Sequence, residues 1–361
     1  MASSLHDRTE AVSKALEHLE AQLVGTLLSP KAATQFAQGA IAAAELTPVA
    51  ERIKALSHAY VSEHSGQLPA VTDREAAKAY ALYFLPINFA KVLYLLDELP
   101  ADFKTRPLEV LDFGCGPGTA SLAVQSWHRG AVSLTLVDHA SAMLDVARSI
   151  LAPQGAAARF LGVEQFRDDT KRYDLIVLAN VLTELASEQC ATLLDELLQK
   201  LTPNGVVLIL EPALQGITRR MQALRDTALD RHQELTPLFP CTRRDPCPML
   251  VADTQSWCHG TLRWQAPRLV MQLDALTGFN KHRVKFCAFI FQRDGLLRQG
   301  LRILEPAQRK KFGVELSVCG ADCYGRKVVA KRGVTMELLT QLRRADQFEV
   351  LPLTKEIFER A

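Results

Sequence analysis

The sequence contains no uninterrupted apolar run long enough to cross a bilayer, and no secretory apolar core stands near its N-terminus. Asp7, Glu10, Glu17 and Glu20 crowd the first turns, unlike an acid-poor transit peptide. These absences predict a cytoplasmic protein with no membrane contact. No repeat or low-complexity tract is visible, and 48% hydrophobic with 23% charged residues is the composition of a folded rather than a disordered chain. At 361 residues the chain exceeds a typical single domain, so two or three units around a substantial core are expected.

Eight cysteines are present, but neither a Cys-x-x-Cys pair nor a regular zinc-finger spacing occurs. Cys241, Cys247 and Cys258, with His259 adjoining, fall in a Pro-rich loop where no element hides them or forces them together. In a cytosolic protein such a loop favours a metal over disulfides. Four thiolates satisfy either a tetrahedral zinc or an iron-sulfur cluster, and spacing alone does not separate the two. The fourth position stays open, because Cys319 ends a predicted strand and Cys323 lies four residues on in a Gly-containing turn. Cys115, Cys190 and Cys287 sit in regular apolar elements or in a glycine loop and read as small buried residues.

That glycine loop, Asp112-Phe-Gly114-Cys-Gly116-Pro-Gly118, follows the apolar run Leu108 to Phe113 and precedes helix-forming residues from Thr119. Glycine lets a backbone turn sharply and a ligand approach without meeting a Cβ, and the helix start behind it offers unpaired N–H groups. Twenty residues past Gly118, Asp138 closes a second apolar run, where a carboxylate can accept both hydroxyls of a ribose. The loop closes too early for the Gly-x-Gly-x-x-Gly of a dinucleotide site. With Asp112, Asp138 and the strand Asp174 to Asn180, it resembles the first motifs of class I S-adenosylmethionine-dependent methyltransferases. The resemblance implies that Asp112, Gly114, Gly116, Gly118, Asp138 and Asn180 face the cofactor. Capping and surface roles are the alternative for Asn180 and for Glu184.

Hydrophobic periodicity divides the chain in three. Residues 1–100 are predicted helical, for example Val12 to Leu23 and Ala76 to Leu99, with breaks near Pro69 and Pro86. Residues 101–296 alternate strand and helix, which implies a doubly wound parallel sheet, and carry the cysteine-rich segment as an insertion at 237–262. Residues 297–361 read as short strands with turns and a helix from Met336. The expected fold class is therefore α/β: a Rossmann-like methyltransferase core, an N-terminal helical region, a metal-binding insertion and a small basic β-rich C-terminal module. Residues 281–344 hold fifteen Lys or Arg against five Asp or Glu, in a chain whose net charge is only +2. Arg309-Lys310-Lys311, Arg326-Lys327, Lys331-Arg332 and Arg343-Arg344 recur there, which suits contact with a phosphate backbone.

The cysteine loop, Ala79 to Pro86, Leu182 to Leu185 and Arg302 to Cys319 together resemble the methyltransferase-like proteins of the mitochondrial small ribosomal subunit and their bacterial relatives, over about residues 75–333. That resemblance implies a [4Fe-4S] cluster on Cys241, Cys247, Cys258 and Cys319 and binding to small-subunit ribosomal RNA; zinc is the alternative metal, and a monomer is expected. The site after the fourth strand reads Ala179-Asn180-Val-Leu-Thr-Glu184, not the Asn/Asp-Pro-Pro-aromatic motif of base-amino methyltransferases. No Pro-Cys pair lies where a cytosine-C5 enzyme places its nucleophile, and no Cys-x3-Cys-x2-Cys run marks a radical enzyme. No catalytic residue is assigned. Two functions of different class remain: an RNA methyltransferase, and a non-catalytic ribosome-assembly factor that keeps its cofactor site.

Overall fold

In the computed structural model, the described residues are 5–62, 71, 73–155 and 157–359. Four helices lead: α1 (Leu5–Leu27), α2 (Pro30–Ala37), α3 (Ala43–Ser62) and α4 (Arg74–Leu96). The break expected at Pro69 lies outside the described residues. The break expected at Pro86 does not occur, because Pro86 stands inside α4. Proline there deprives the Leu82 carbonyl of its helical partner, and the helix persists because nearly every residue from Ala77 to Leu96 is buried. By length and apolarity α4 is the one helix among the described residues that could cross a bilayer, yet 83% of its apolar window is buried within the protein. Asp73 starts it by accepting the Ala76 N–H at 2.8 Å.

The core follows as β1 (Leu108–Phe113), α5 (Thr119–Trp127), β2 (Val132–Val137), α6 (Ser141–Leu151), β3 (Ala157–Leu161), α7 (Val163–Arg167), β4 (Tyr173–Ala179), α8 (Ser187–Gln199), β5 (Leu201–Glu211), α9 (Gln215–Arg231), β6 (Leu235–Phe239), α10 (Pro248–Ala252), β7 (Gly260–Arg263), α11 (Arg268–Thr277) and β8 (Arg283–Arg293). The sheet runs β3-β2-β1-β4-β5-β8-β6, with β7 also on β8. Strands β1 to β5 are parallel, as their near-continuous apolar runs require when helices cover both faces. The expectation of a wholly parallel sheet is corrected at β8, which pairs antiparallel with β5, β6 and β7. The result is a mixed, Rossmann-like α/β sheet. Helices α1, α3, α4 and α11 share one continuous apolar core with the sheet, so the N-terminal helices pack as a wall of this unit.

The segment expected as an insertion at 237–262 is threaded into the sheet edge: its two ends lie in β6 and β7, both bonded to β8. The remainder forms β9 (Leu301–Lys310), β10 (Gly313–Cys319), β11 (Tyr324–Ala330), α12 (Met336–Arg344) and β12 (Val350–Leu351). These strands make an antiparallel sheet, β11-β10-β9-β12, with its own small core. Buried Arg302 on β9 ties the two sheets together. Its guanidinium donates to the carbonyls of Pro240 at 2.6 Å, Leu238 at 3.2 Å and Phe348.

Three buried carboxyls and one half-buried one, Glu184, make stability depend on pH. Burial, the largest cause in each, pushes Glu20 up to about 7, Asp112 to about 6, Glu184 to about 7 and Glu211 to about 8. Each binds its proton more tightly folded than unfolded, so stability falls as pH rises from the ordinary carboxylate range through these values. His259 and Lys91, the latter to about 8, are both lowered by burial and oppose this trend. The melting temperature is expected to decline between about pH 5.5 and about pH 8. A level or rising profile by calorimetry over that range would overturn this.

Candidate functional site

The carboxyl ends of β1, β2 and β4 open onto a cavity of about 930 Å³. Open α/β sheets bind ligands in this position, where the strand order reverses. Gly114 (φ 66°) and Gly116 (φ 53°) both hold left-handed backbone. A Cβ at Gly114 would come within 2.4 Å of the Val181 side chain, so the loop can lie against the β4 turn only as glycine. Beside Gly116 that space is open, and its backbone borders the cavity.

Asp138, just past β2, accepts the Gly116 N–H at 2.7 Å and the Ala140 N–H at 2.8 Å. Each carboxylate oxygen has a further lone pair, His139 Nδ1 lies 3.5 Å from one of them, and Asp138 lines the cavity. Asn180, at φ 61° where β4 ends, lines the opposite wall. Asp112 and Gly118 do not border the cavity. Asp112 is buried and accepts both the N–H and the hydroxyl of Ser121, at 2.9 and 2.8 Å, fixing the start of α5 to β1. Gly118 is the left-handed N-cap of α5.

Sequence reasoning missed what holds the β4 turn. Glu211, wholly buried at the end of β5, accepts the N–H groups of Val181 at 3.0 Å, Leu182 at 2.8 Å and Thr183 at 3.3 Å. Arg220 donates to the carbonyls of Leu182 and Leu185 at 2.8 and 2.9 Å. The only signal was one acid closing an apolar strand. Within the cavity, Glu184 is held near 7 by burial and by the Asp138 charge, against His139. Tyr60 and Tyr80 stand across from it with hydroxyls raised by burial. Among the described residues the lining includes Asp138, Glu184, Glu188 and Glu196 but no Lys or Arg.

A second constellation lies where the two sheets meet. Cys241, Cys247, Cys258 and Cys319 line one small cavity, together with Gln222, Arg225 and Tyr324. Cys323 is elsewhere, buried in the core of the C-terminal sheet. Helix α9 organises the near side. Asp226 accepts the Cys247 N–H at 2.9 Å, and Arg225 clamps the carbonyls of Arg243, Arg244 and Asp245. On the far side Thr242 donates to the Gly300 carbonyl at 3.1 Å, and Arg243 to that of Gly320 at 3.1 Å.

Burial raises the thiols of Cys241 and Cys258, and pushes Cys319 up to about 12, with neighbouring cysteines adding to the effect. Metal binding here must displace protons. Gln222 donates to the Cys247 sulfur at 3.2 Å, while Arg225 Nε is buried without an acceptor. Among the described residues, no group of three or more His, Cys, Asp or Glu is arranged to hold a single metal ion.

Comparison with protein families matches residues 74–348 to the model described as mitochondrial small ribosomal subunit Rsm22. Carboxy-S-adenosyl-L-methionine synthase of Campylobacter lari is 27% identical over 155 residues, covering 42% of this chain and 62% of that enzyme. A methyltransferase structure from Pyrococcus furiosus aligns at 12% identity and TM-score 0.37, over 58% of this chain and 83% of that one. A putative RNA methyltransferase from Pyrococcus horikoshii aligns at 13% identity and TM-score 0.36, over 67% and 98%. Strand order and direction define the fold independently of these alignments.

Proposed function

The chain belongs to the mitochondrial small ribosomal subunit Rsm22 family, and from that premise we propose that it is a monomeric, S-adenosylmethionine-binding protein acting on small-subunit ribosomal RNA in ribosome assembly. The carrying observation is the convergence of Gly116, Asp138 and Asn180 on one cavity at the carboxyl ends of the parallel strands. Bound cofactor supplies a sulfonium-activated methyl group. Gly116 would keep a side chain out of its way, Gly114 lets the loop close against Val181, Asp138 would take the ribose hydroxyls, and Asn180 would bound the far side. Glu184, with its proton affinity near neutrality, can take a proton from an acceptor held in the same cavity.

Calorimetry tests the cofactor step. Asp138→Ala is expected to weaken S-adenosylmethionine binding by about 1 to 3 kcal/mol through loss of charge-assisted hydrogen bonds. No heat of binding to the parent protein would sink the proposal.

The cysteine cavity is read here as the seat of a [4Fe-4S] cluster held by Cys241, Cys247, Cys258 and Cys319, with zinc as the alternative. Four thiols on one cavity form a suitable donor set, and Arg225 with its unmatched Nε sets a cation beside Cys241. A tetrahedral zinc would draw sulfurs to about 2.3 Å from one ion. A cluster would instead seat each of the four thiolates on a different iron.

The second reading, a non-catalytic assembly factor, is favoured by the acid-lined cofactor cavity. Asp138, Glu184, Glu188 and Glu196 would repel RNA phosphates at the place where a methyl acceptor must enter. Incubating the protein with immature small subunits and labelled cofactor separates the two. Methyl label in RNA supports the enzyme; cofactor and subunit binding without label supports the assembly factor.

A further inference from the structure

A cavity of about 600 Å³ lies between β7, β8 and the C-terminal sheet, and no residue lining it also lines the cofactor cavity. Its size is that of a small-ligand site. One rim is made by a two-stranded ladder that sets Arg263 directly opposite Arg283. Lys285, two residues along, lies on the same exposed face of that ladder. Like charges directly opposite on a ladder destabilise it. No ion pair or side-chain hydrogen bond engages Arg263, Arg283 or Lys285 among the described residues. The wall beyond is aromatic: Trp257 stacks on His259 with ring centres 5.3 Å apart, and Tyr324 and Phe348 line the interior. Asp346 and Glu305 line the side formed by the C-terminal segment.

We propose that this cavity holds one nucleotide of single-stranded RNA, with its phosphate against Arg263 and Arg283 and its base among Trp257, Tyr324 and Phe348. The cationic rim matches a phosphate, the ring faces match a base, and the carboxylates of Asp346 and Glu305 can accept from a base amino group. The site rests on the RNA-binding function proposed above and adds a place for an unstacked base. It also shares Met249, Cys258, Leu304 and Tyr324 with the cysteine cavity. Losing the order of that cavity therefore loosens a wall of the nucleotide site.

The experiment uses the full chain and two probes: a single-stranded pentaribonucleotide carrying 4-thiouridine, and a structured small-subunit RNA fragment. The pentamer is expected to quench tryptophan fluorescence and to crosslink within the peptide containing Trp257. An Arg263→Ala, Arg283→Ala double variant, altered only at exposed side chains, is expected to bind it on the order of tenfold more weakly or worse while melting no lower than the parent does. Arg283→Lys, which keeps the charge, is expected to recover most of that affinity. Equal pentamer binding by parent and double variant, or crosslinks confined to other peptides, overturns the nucleotide site. If the structured fragment still binds in that case, the RNA-binding function survives; if neither probe binds the parent, both fall.

Discussion

Purified without oxygen, the parent protein is expected to be brown and to carry iron and sulfide in about equal amounts, close to four of each, whereas Cys241→Ser carries neither. The four thiols come from three places: the segment after β6, the residues flanking α10, and the last residue of β10. Cys258 and Cys319 are sixty-one positions apart in sequence, so a shared metal group closes a long loop. Without it, four partly buried thiols share one cavity with no bond among them, and Arg225 loses the anion its position anticipates. The variant is therefore also expected to unfold at a lower temperature, with the C-terminal sheet becoming sensitive to protease first. Stoichiometric zinc with no sulfide in the parent would replace the cluster by a single ion. Metal-free parent protein that melts like Cys241→Ser would remove the metal altogether. Loading is expected to improve as pH rises, because burial holds protons on Cys241, Cys258 and Cys319.

The parallel half of the fold was legible because strand and helix periods alternate cleanly there. Val132–Val137, Ser141–Leu151 and Tyr173–Ala179 stand where periodicity places them. Direction was not legible. The apolar run Phe286 to Phe291 looks the same in either sense, and only its pairing with β5 shows it to be antiparallel. Pro86 misled because proline's local cost was outweighed by burial around α4, a tertiary effect invisible in the local pattern.

The site residues divide in the same way. Asp138 and Gly116 could be placed from their spacing beyond strand ends, but Asp112 has the same chemistry and turns inward to Ser121. Spacing left Cys319 and Cys323 equal. The fold separates them, since Cys319 sits opposite Arg302 and Tyr324 at the strand end while Cys323 packs into the C-terminal core. Glu211 was unreadable, because a carboxylate satisfied by three backbone N–H groups needs the turn to exist before its purpose shows.

Replacing Arg309, Lys310 and Lys311 together by Ala is expected to flatten the slope of log RNA affinity against log salt by about two or three, with a large loss of affinity at low salt. The basic excess of residues 281–344 is not all available for RNA. Arg302 is buried between the sheets, Arg293 donates to the carbonyls of Leu198 and Leu201, and Arg298 pairs with Glu98 at 2.6 Å. Those charges hold the fold. The triplet instead occupies the β9–β10 hairpin, exposed on its strand and turn. Phe312 beside it is 74% exposed, with the Lys311 ammonium 5.2 Å from its ring centre. An exposed ring among cations suits contact with a nucleic acid, where phosphates meet the charges and a base can meet the ring. Lys310 also reaches Glu315 at 3.3 Å, a solvent-screened pair whose loss should alter stability little. The triple variant should therefore melt as the parent does and differ in RNA binding alone. An unchanged slope would make the hairpin a solvated face and shift the RNA surface to the Arg263 and Arg283 ladder. Unequal losses across RNA sequences would show that Phe312 reads bases, whereas a uniform loss assigns the hairpin to the phosphate backbone.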